Sequence, residues 1–231
     1  MVDLPRPQFC ATKTRFRLSS GKYIDLTNAK SKQFYQEFLE NKTGFASALT
    51  SWQRNHNLRE EIFYESLPKT INATNDQKLI SFQFKIIHNI INNNANLYKW
   101  KIKDTNLCSF CNTESPDDVV HEFTTCSWTR RVIAEVARNL GLTNKFRHIT
   151  KKDLIFGVEE SSLNNILLIL KLVIHTTRQN ESVFNVEILK KEIYKRIISD
   201  EKTLNANKFK SKWSKHNILL TEAKAFIESL Y

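Results

Sequence analysis

The sequence Cys108-Ser109-Phe110-Cys111 is followed by nine residues, His121, four more residues and Cys126. Nothing else in the chain restricts its fold so tightly. Two cysteines on a two-residue spacing make a knuckle whose thiolates converge on one point, and the His–Cys pair can close the other half of a tetrahedron. Three sulfurs and one imidazole nitrogen suit Zn²⁺, and four protein ligands leave no open position for a reacting water. The spacing therefore predicts a structural zinc site with Cys108, Cys111, His121 and Cys126 as ligands. Three of the four cysteines in the chain fall within this stretch. That clustering argues against four unrelated residues, and it points to a reducing compartment, nuclear or cytoplasmic, rather than a secreted disulfide framework.

Around this cluster the 231 residues contain only four glycines and four prolines, so breaks are few and a mainly α-helical fold is expected. The exception lies near the start. Phe16 and Leu18 alternate with Arg15 and Arg17, Ser19-Ser20-Gly21 offers a turn, and Tyr23-Ile24-Asp25-Leu26 follows, which reads as a short N-terminal β-hairpin. Phe34, Tyr35, Phe38 and Leu39 then mark one helix, residues 46–55 a second that presents Trp52, and residues 58–67 a third stopped by Pro68. Residues 76–93 read as a single strong helix with Leu79, Phe82, Ile86, Ile87, Ile90 and Ile91 in its apolar stripe, widened by Ile80 and Phe84. Beyond Cys126, Trp128, Val132, Ile133, Val136, Ala137 and Leu140 share one helical face that Gly141 ends. The metal would then set the angle between these two helices. Asp153-Leu154-Ile155-Phe156-Gly157 reads as a short buried segment, and Ser161 or Ser162 as the cap of the most apolar helix, ending near Thr177. A long helix begins near Asn185 with Val186, Leu189, Ile193 and Ile197 in its stripe, and residues 218–230 form the last. The organisation falls into three parts: a hairpin and helical segment over 1–75, the helix–knuckle–helix over 76–141, and a helical region over 142–231.

The balance of 35 Lys+Arg against 24 Asp+Glu gives a net charge of +11, which suits a polyanion, either nucleic acid or an acidic membrane surface. A solvated basic surface fits the charge equally well. The longest apolar run, residues 166–174, is about half a membrane span and contains Lys171, so no membrane partner is expected; residues 1–5 lack a signal-peptide pattern. Candidate phosphate contacts are Lys78 and Lys85 on the polar line of the 76–93 helix, Arg130 and Arg131 beside the last ligand, and Lys145, Arg147, Lys151 and Lys152 in a basic connector. Lys208, Lys210 and Lys212 with Trp213 lie in residues 202–215, which contain no acid. Basic residues interleaved with aromatics can pair phosphates and stack bases; the competing reading is a solvated helix with Phe209 and Trp213 packed inward. Catalytic constellations are missing. Asp117-Asp118 reads as a solvated turn rather than part of a two-metal carboxylate cluster, the order of His and Cys does not fit a zinc deaminase, and no nucleophile–base set stands out. The chain as it stands is expected to be non-enzymatic.

Several of these stretches taken together resemble a known family. Residues 81–91, then Leu97-Tyr98-Lys99-Trp100, then the Cys-x2-Cys-x9-His-x4-Cys set look like the C-terminal zinc-binding region of non-LTR (LINE-type) retrotransposon reverse transcriptases. The similarity continues through residues 153–157, the apolar helix ending near Thr177 and residues 208–213, with Thr50-Ser51-Trp52 and Ser66-Leu67-Pro68 in place upstream. It spans about residues 25–215. The resemblance implies that the region follows a polymerase and contacts template RNA or target DNA, with Cys108, Cys111, His121 and Cys126 as zinc ligands. It carries over no catalytic residue, because the aromatic-x-Asp-Asp motif is absent. A fragment of such an element, or a protein derived from one, is the expected identity. The alternative is a zinc-stapled structural or interaction domain that docks on the rest of a polymerase or on another protein.

Overall fold

The computed structural model describes residues 15–17, 23–25, 47–111 and 113–229. It divides into two compact units, Met1–Thr50 and Ser51–Tyr231. In the first, β1 (Arg15–Arg17) pairs antiparallel with β2 (Tyr23–Asp25), Phe16 facing Ile24 in register. This is the hairpin expected from the sequence. The helix expected around Phe34, Tyr35, Phe38 and Leu39 lies outside the described residues.

The described part of the second unit is mainly helical; it takes in the end of α1 (Ser47–His56), and α8 (Ser161–Gln179) is its centre. From Leu163 to Lys171 every residue is buried, as expected of a helix apolar around most of its circumference. It packs against α2 (Glu60–Ala73), α3 (Gln77–Ile87), α9 (Val186–Thr203) and α10 (Ala206–Trp213). Ser161 and Ser162, the expected caps, are instead the first two residues of the helix. Glu160 occupies the cap, without a side-chain bond to the helix backbone.

Polar residues on α8 complete its neighbours. The last turn of α2 has no glycine and no basic residue to meet its free carbonyls, which need partners once buried. Ser161 Oγ donates to Asn72 O at 3.0 Å, Asn164 Nδ2 to Lys69 O at 3.1 Å and Asn165 Nδ2 to Ala73 O at 3.1 Å. Asn164 Oδ1 also accepts from Val158 N at 3.3 Å. Gly157 must be glycine for this arrangement: its φ is +88°, and a Cβ there would lie 2.6 Å from Asn164 Oδ1.

Two further helix boundaries differ from expectation. Pro68 lies inside α2 rather than ending it. It sits on the exposed side, where the carbonyl it leaves without an intrahelical donor is open to water. α3 begins at its Asp76 cap but stops at Ile87, because Asn89 turns into the left-handed region with φ 52°. Ile90 is consequently exposed while Ile91 remains buried, and Phe84 faces solvent. A separate short helix, α4 (Asn94–Lys99), capped by Asn93, fills the gap before the knuckle. The helix ending the knuckle, α5 (Ser127–Asn139), and the connector helices α6 (Thr143–Arg147) and α7 (Lys151–Phe156) follow, the last opened by a Thr150–Asp153 capping box. The chain closes with α11 (Asn217–Glu228). Among the described residues no helix is long and apolar enough to cross a membrane.

Lys171 is the unusual core residue. Its Nζ donates to Gln83 Oε1 at 2.5 Å and Ile155 O at 3.4 Å, with no carboxylate among its partners. Burial holds this amine far below the ordinary lysine range, at about 7. In the unfolded chain it titrates near 10.4. Between these values the unfolded state binds more protons, so this group makes stability rise with pH. The cost of charging it is full below pH 7 and gone above about pH 10.4. Lys171→Met should therefore flatten the rise of thermal stability between pH 7 and 10, whose slope for one proton approaches about 1.4 kcal/mol per pH unit. Equal slopes for the variant and the parent in denaturant titrations would refute this.

Candidate metal centre

The four residues singled out by spacing come together. The donor atoms of Cys108, Cys111, His121 and Cys126 all lie within 4.8 Å of one another, close enough to bind one metal ion. Cys108 Sγ is 3.9 Å from Cys126 Sγ, and Cys111 Sγ is 3.3 Å from His121 Nε2.

Local structure explains the convergence. The strand-like stretches on either side of the first knuckle bridge at Leu107 and Pro116, with Cys108 N donating to Ser115 O at 3.1 Å and Asp117 N to Asn106 O at 2.8 Å. Inside the knuckle, Phe110 N donates to Cys108 Sγ at 3.4 Å. On the other side, His121–Thr125 form a single π-helical turn. An α-helix would place residues five apart on different faces. Here the longer ring, closed by Cys126 N donating to His121 O at 2.9 Å, draws Cys126 back toward the histidine. His121 Nδ1 and Thr125 Oγ1 are 3.2 Å apart. With the ring proton given to that hydroxyl, Nε2 presents its lone pair to the cluster.

The cluster is backed by a residue that its spacing does not announce. Arg178, at the C-terminal end of α8, is buried and donates from Nη1 to Cys126 Sγ at 3.4 Å and from Nη2 to Cys108 Sγ at 3.2 Å. The same Nη2 is paired with Asp117 Oδ1. Its guanidinium lies 4.8 Å from the Phe110 ring centre and 5.8 Å from that of Trp128, within the range of cation–π attraction. Burial alone would lower the affinity of this arginine for its proton. The charges of Asp117 and Glu122 and the two sulfurs overcome that and raise it.

These contacts also order the thiols. A hydrogen bond from Cys108 lowers the pKa of the Cys126 thiol, helped by Arg178 against the opposing effect of burial. The same bond and burial push Cys108 up. Thiolate character is thus built into the site. Asp117 is not the solvated turn residue expected. It is buried, and burial raises its pKa despite the opposing pull of Arg178. Asp118 Oδ1 accepts from His121 N at 2.7 Å, so both aspartates hold the knuckle rather than face water.

The basic candidates are scattered over several helices. Lys78 and Lys85 are exposed on α3, and Lys208 and Lys210 on α10. Arg130 and Arg131, exposed on α5, line a shallow hollow with Phe110 and Cys111. Arg130, Arg147 and Lys151 meet in a groove between α5, α6 and α7, joined there by Arg138, which sequence reasoning missed. Its floor includes Ile133, Ala137, Phe146 and Leu154, and no acidic residue lines it. Lys152 is exposed outside that groove. Lys145 is instead paired with Glu160. Lys212 and Trp213 turn inward: Lys212 Nζ and Trp213 Nε1 both donate to the buried Asp200 Oδ2, at 2.6 and 2.9 Å, and the indole is fully buried. In this fold the Trp213 ring has no face open to a base.

Comparison of the chain with protein-family models, with curated proteins and with solved structures finds no match.

Proposed function

We propose that this chain is a non-catalytic, zinc-stapled module that binds nucleic acid. The donor set supports zinc as the ion. A tetrahedral site with Zn–S bonds of about 2.3 Å has sulfur–sulfur edges of about 3.8 Å, and the 3.9 Å between Cys108 and Cys126 fits that edge. When bound, zinc supplies cross-linking of the fold and no open coordination position. The chain's own residues fix the ligands: Thr125 orients His121, and Arg178 offsets thiolate charge. Resemblance to the zinc-binding region of non-LTR retrotransposon reverse transcriptases supports the same reading, with template RNA or target DNA as ligand and the remainder of a reverse transcriptase as a further partner.

The observation that carries the binding proposal is the groove of Arg130, Arg138, Arg147 and Lys151. Four cations converge there without an acid, and among the described residues none makes an ion pair. Concentrated uncompensated charge stores repulsion that phosphates relieve, with release of counterions from the nucleic acid. The test is fluorescence anisotropy of the zinc-loaded protein with a structured RNA and a matched DNA duplex across a salt series. Three or four engaged phosphates predict affinity falling about 40- to 150-fold between 50 and 200 mM salt. Arg138→Gln with Arg147→Gln should reduce the logarithmic salt slope by about 2. Absence of binding at low salt would overturn the proposal and favour the protein-docking alternative.

A further inference from the structure

Sequence places an aromatic–basic pattern at residues 208–213, yet the fold buries its tryptophan against Asp200. The same pattern occurs exposed elsewhere. Residues 98–103 read Tyr-Lys-Trp-Lys-Ile-Lys, and Tyr98, Trp100 and Ile102 are 51%, 42% and 67% exposed. Three large apolar side chains are thus left in water within five residues, and exposed apolar surface concentrated in this way can mark a contact site. No acid occurs from residue 93 through 103. Among the described residues Lys99 and Lys101 form no ion pair, and neither aromatic stacks on another ring.

The segment is held rigidly. Ala95 N donates to Asp117 O at 3.2 Å and Asn94 Nδ2 to Leu107 O at 2.8 Å, tying α4 to the knuckle. Asn96 Nδ2 reaches Asn89 O and Ile91 O behind it. Past the helix, Lys101 N bonds to Tyr98 O at 2.9 Å and Ile102 N to Leu97 O at 2.8 Å, through a lysine whose φ is +61°. A non-glycine residue in that region is disfavoured and persists where surrounding bonds impose it. Lys103 Nζ is anchored on Asn94 Oδ1 at 2.9 Å, so the lysines free to reach outward are Lys99 and Lys101.

We infer that residues 98–103 form a platform for single-stranded nucleic acid, with bases stacking on Tyr98 and Trp100 and phosphates meeting Lys99 and Lys101. The inference rests on the nucleic-acid reading of the preceding section and adds a strand type and a place. Bases give the apolar rings a partner only when unpaired, whereas the acid-free groove needs phosphate charge alone. Preorganised rings lose little freedom on stacking.

The test compares a short oligouridylate and a blunt DNA duplex on zinc-loaded protein by anisotropy and tryptophan fluorescence. Of the four tryptophans, Trp52 and Trp213 are buried and Trp128 is half-buried, so stacked bases should quench mainly Trp100. Trp100→Ala should weaken single-strand affinity about 5- to 150-fold, the range for one lost base stack, and leave duplex affinity and zinc content unchanged. Trp100→Phe should restore most of the affinity without the quenching. Lys99→Gln with Lys101→Gln should lower the single-strand salt slope by about 1.4. If Trp100→Ala binds the single strand as the parent does while the duplex still binds, the platform is refuted and the nucleic-acid reading stands. If neither probe binds the parent protein, both fall.

Discussion

Cys126→Ser protein should contain no stoichiometric zinc and should lose cooperative unfolding of the region around α5. The reason is the depth of the thiolate. Cys126 is fully buried, occupies the N-cap position of α5, and accepts from Arg178. A serine oxygen is shorter, stays protonated and is a poor zinc ligand beside two thiolates. Structural zinc contributes roughly 10–16 kcal/mol to the folding of zinc-finger peptides, which matches or exceeds the whole stability of an ordinary domain at about 5–15 kcal/mol. Losing it should therefore do more than loosen one loop. Chelation of the parent protein should reproduce the effect, and Cys10→Ser, a change outside the Cys108–Cys126 stretch of the sequence, should bind one zinc as before. Metal content by mass spectrometry under native conditions, with thermal unfolding alongside, decides the matter. A Cys126→Ser protein retaining one zinc and the parent melting temperature would remove this site from the account.

Arg178→Met is also expected to be damaging, less so than loss of a ligand, although the residue donates nothing to the metal. It would strand Asp117, a buried carboxylate, without its counter-charge, a change that costs about 3–5 kcal/mol. It would also take two donors from the sulfurs, and loss of such supporting contacts weakens metal binding about 10- to 100-fold. Two readouts separate the effects. Adding Asp117→Asn to Arg178→Met should recover part of the stability, because the stranded charge is gone, while zinc affinity in chelator competition stays low. Arg178→Lys should fail to rescue affinity, since one ammonium cannot span both sulfurs and the carboxylate as the guanidinium fork does. Full zinc affinity in Arg178→Met would show that the contacts to sulfur are incidental.

The contrast between these two residues shows what was legible before the fold was known. Cys126 belongs to a set whose chemistry is carried by spacing along a short stretch, and all four members could be read directly. Arg178 enters from 52 and 70 residues away, and no local pattern distinguishes it from any other arginine ending a helix. Periodicity located the helices because apolar stripes reflect burial, but it could not locate their ends. Ile90 and Ile91 continue the stripe of α3 past the point where Asn89 turns the backbone, so the pattern runs on where the helix does not. Pro68 misled in the opposite direction, because a proline on a solvated helix face forfeits a bond that water can replace. Aromatic and basic residues interleave at both 98–103 and 208–213. Only the tertiary structure reveals that Asp200 claims the second set.

The separation of Arg178 from the sulfurs it serves has a bearing on the order of folding. The donor set closes a loop of 18 residues between Cys108 and Cys126, and short loops are closed early and at small entropic cost. Contacts to α8 require closure over three to four times that distance and should come later. The chain can thus commit its metal before its central helix is in place, with the guanidinium acting as a late latch on a site already assembled. Pulse labelling of thiols during refolding in zinc would display this as cysteine protection preceding protection of the α8 amides. Simultaneous protection would mean that the knuckle does not form ahead of the core.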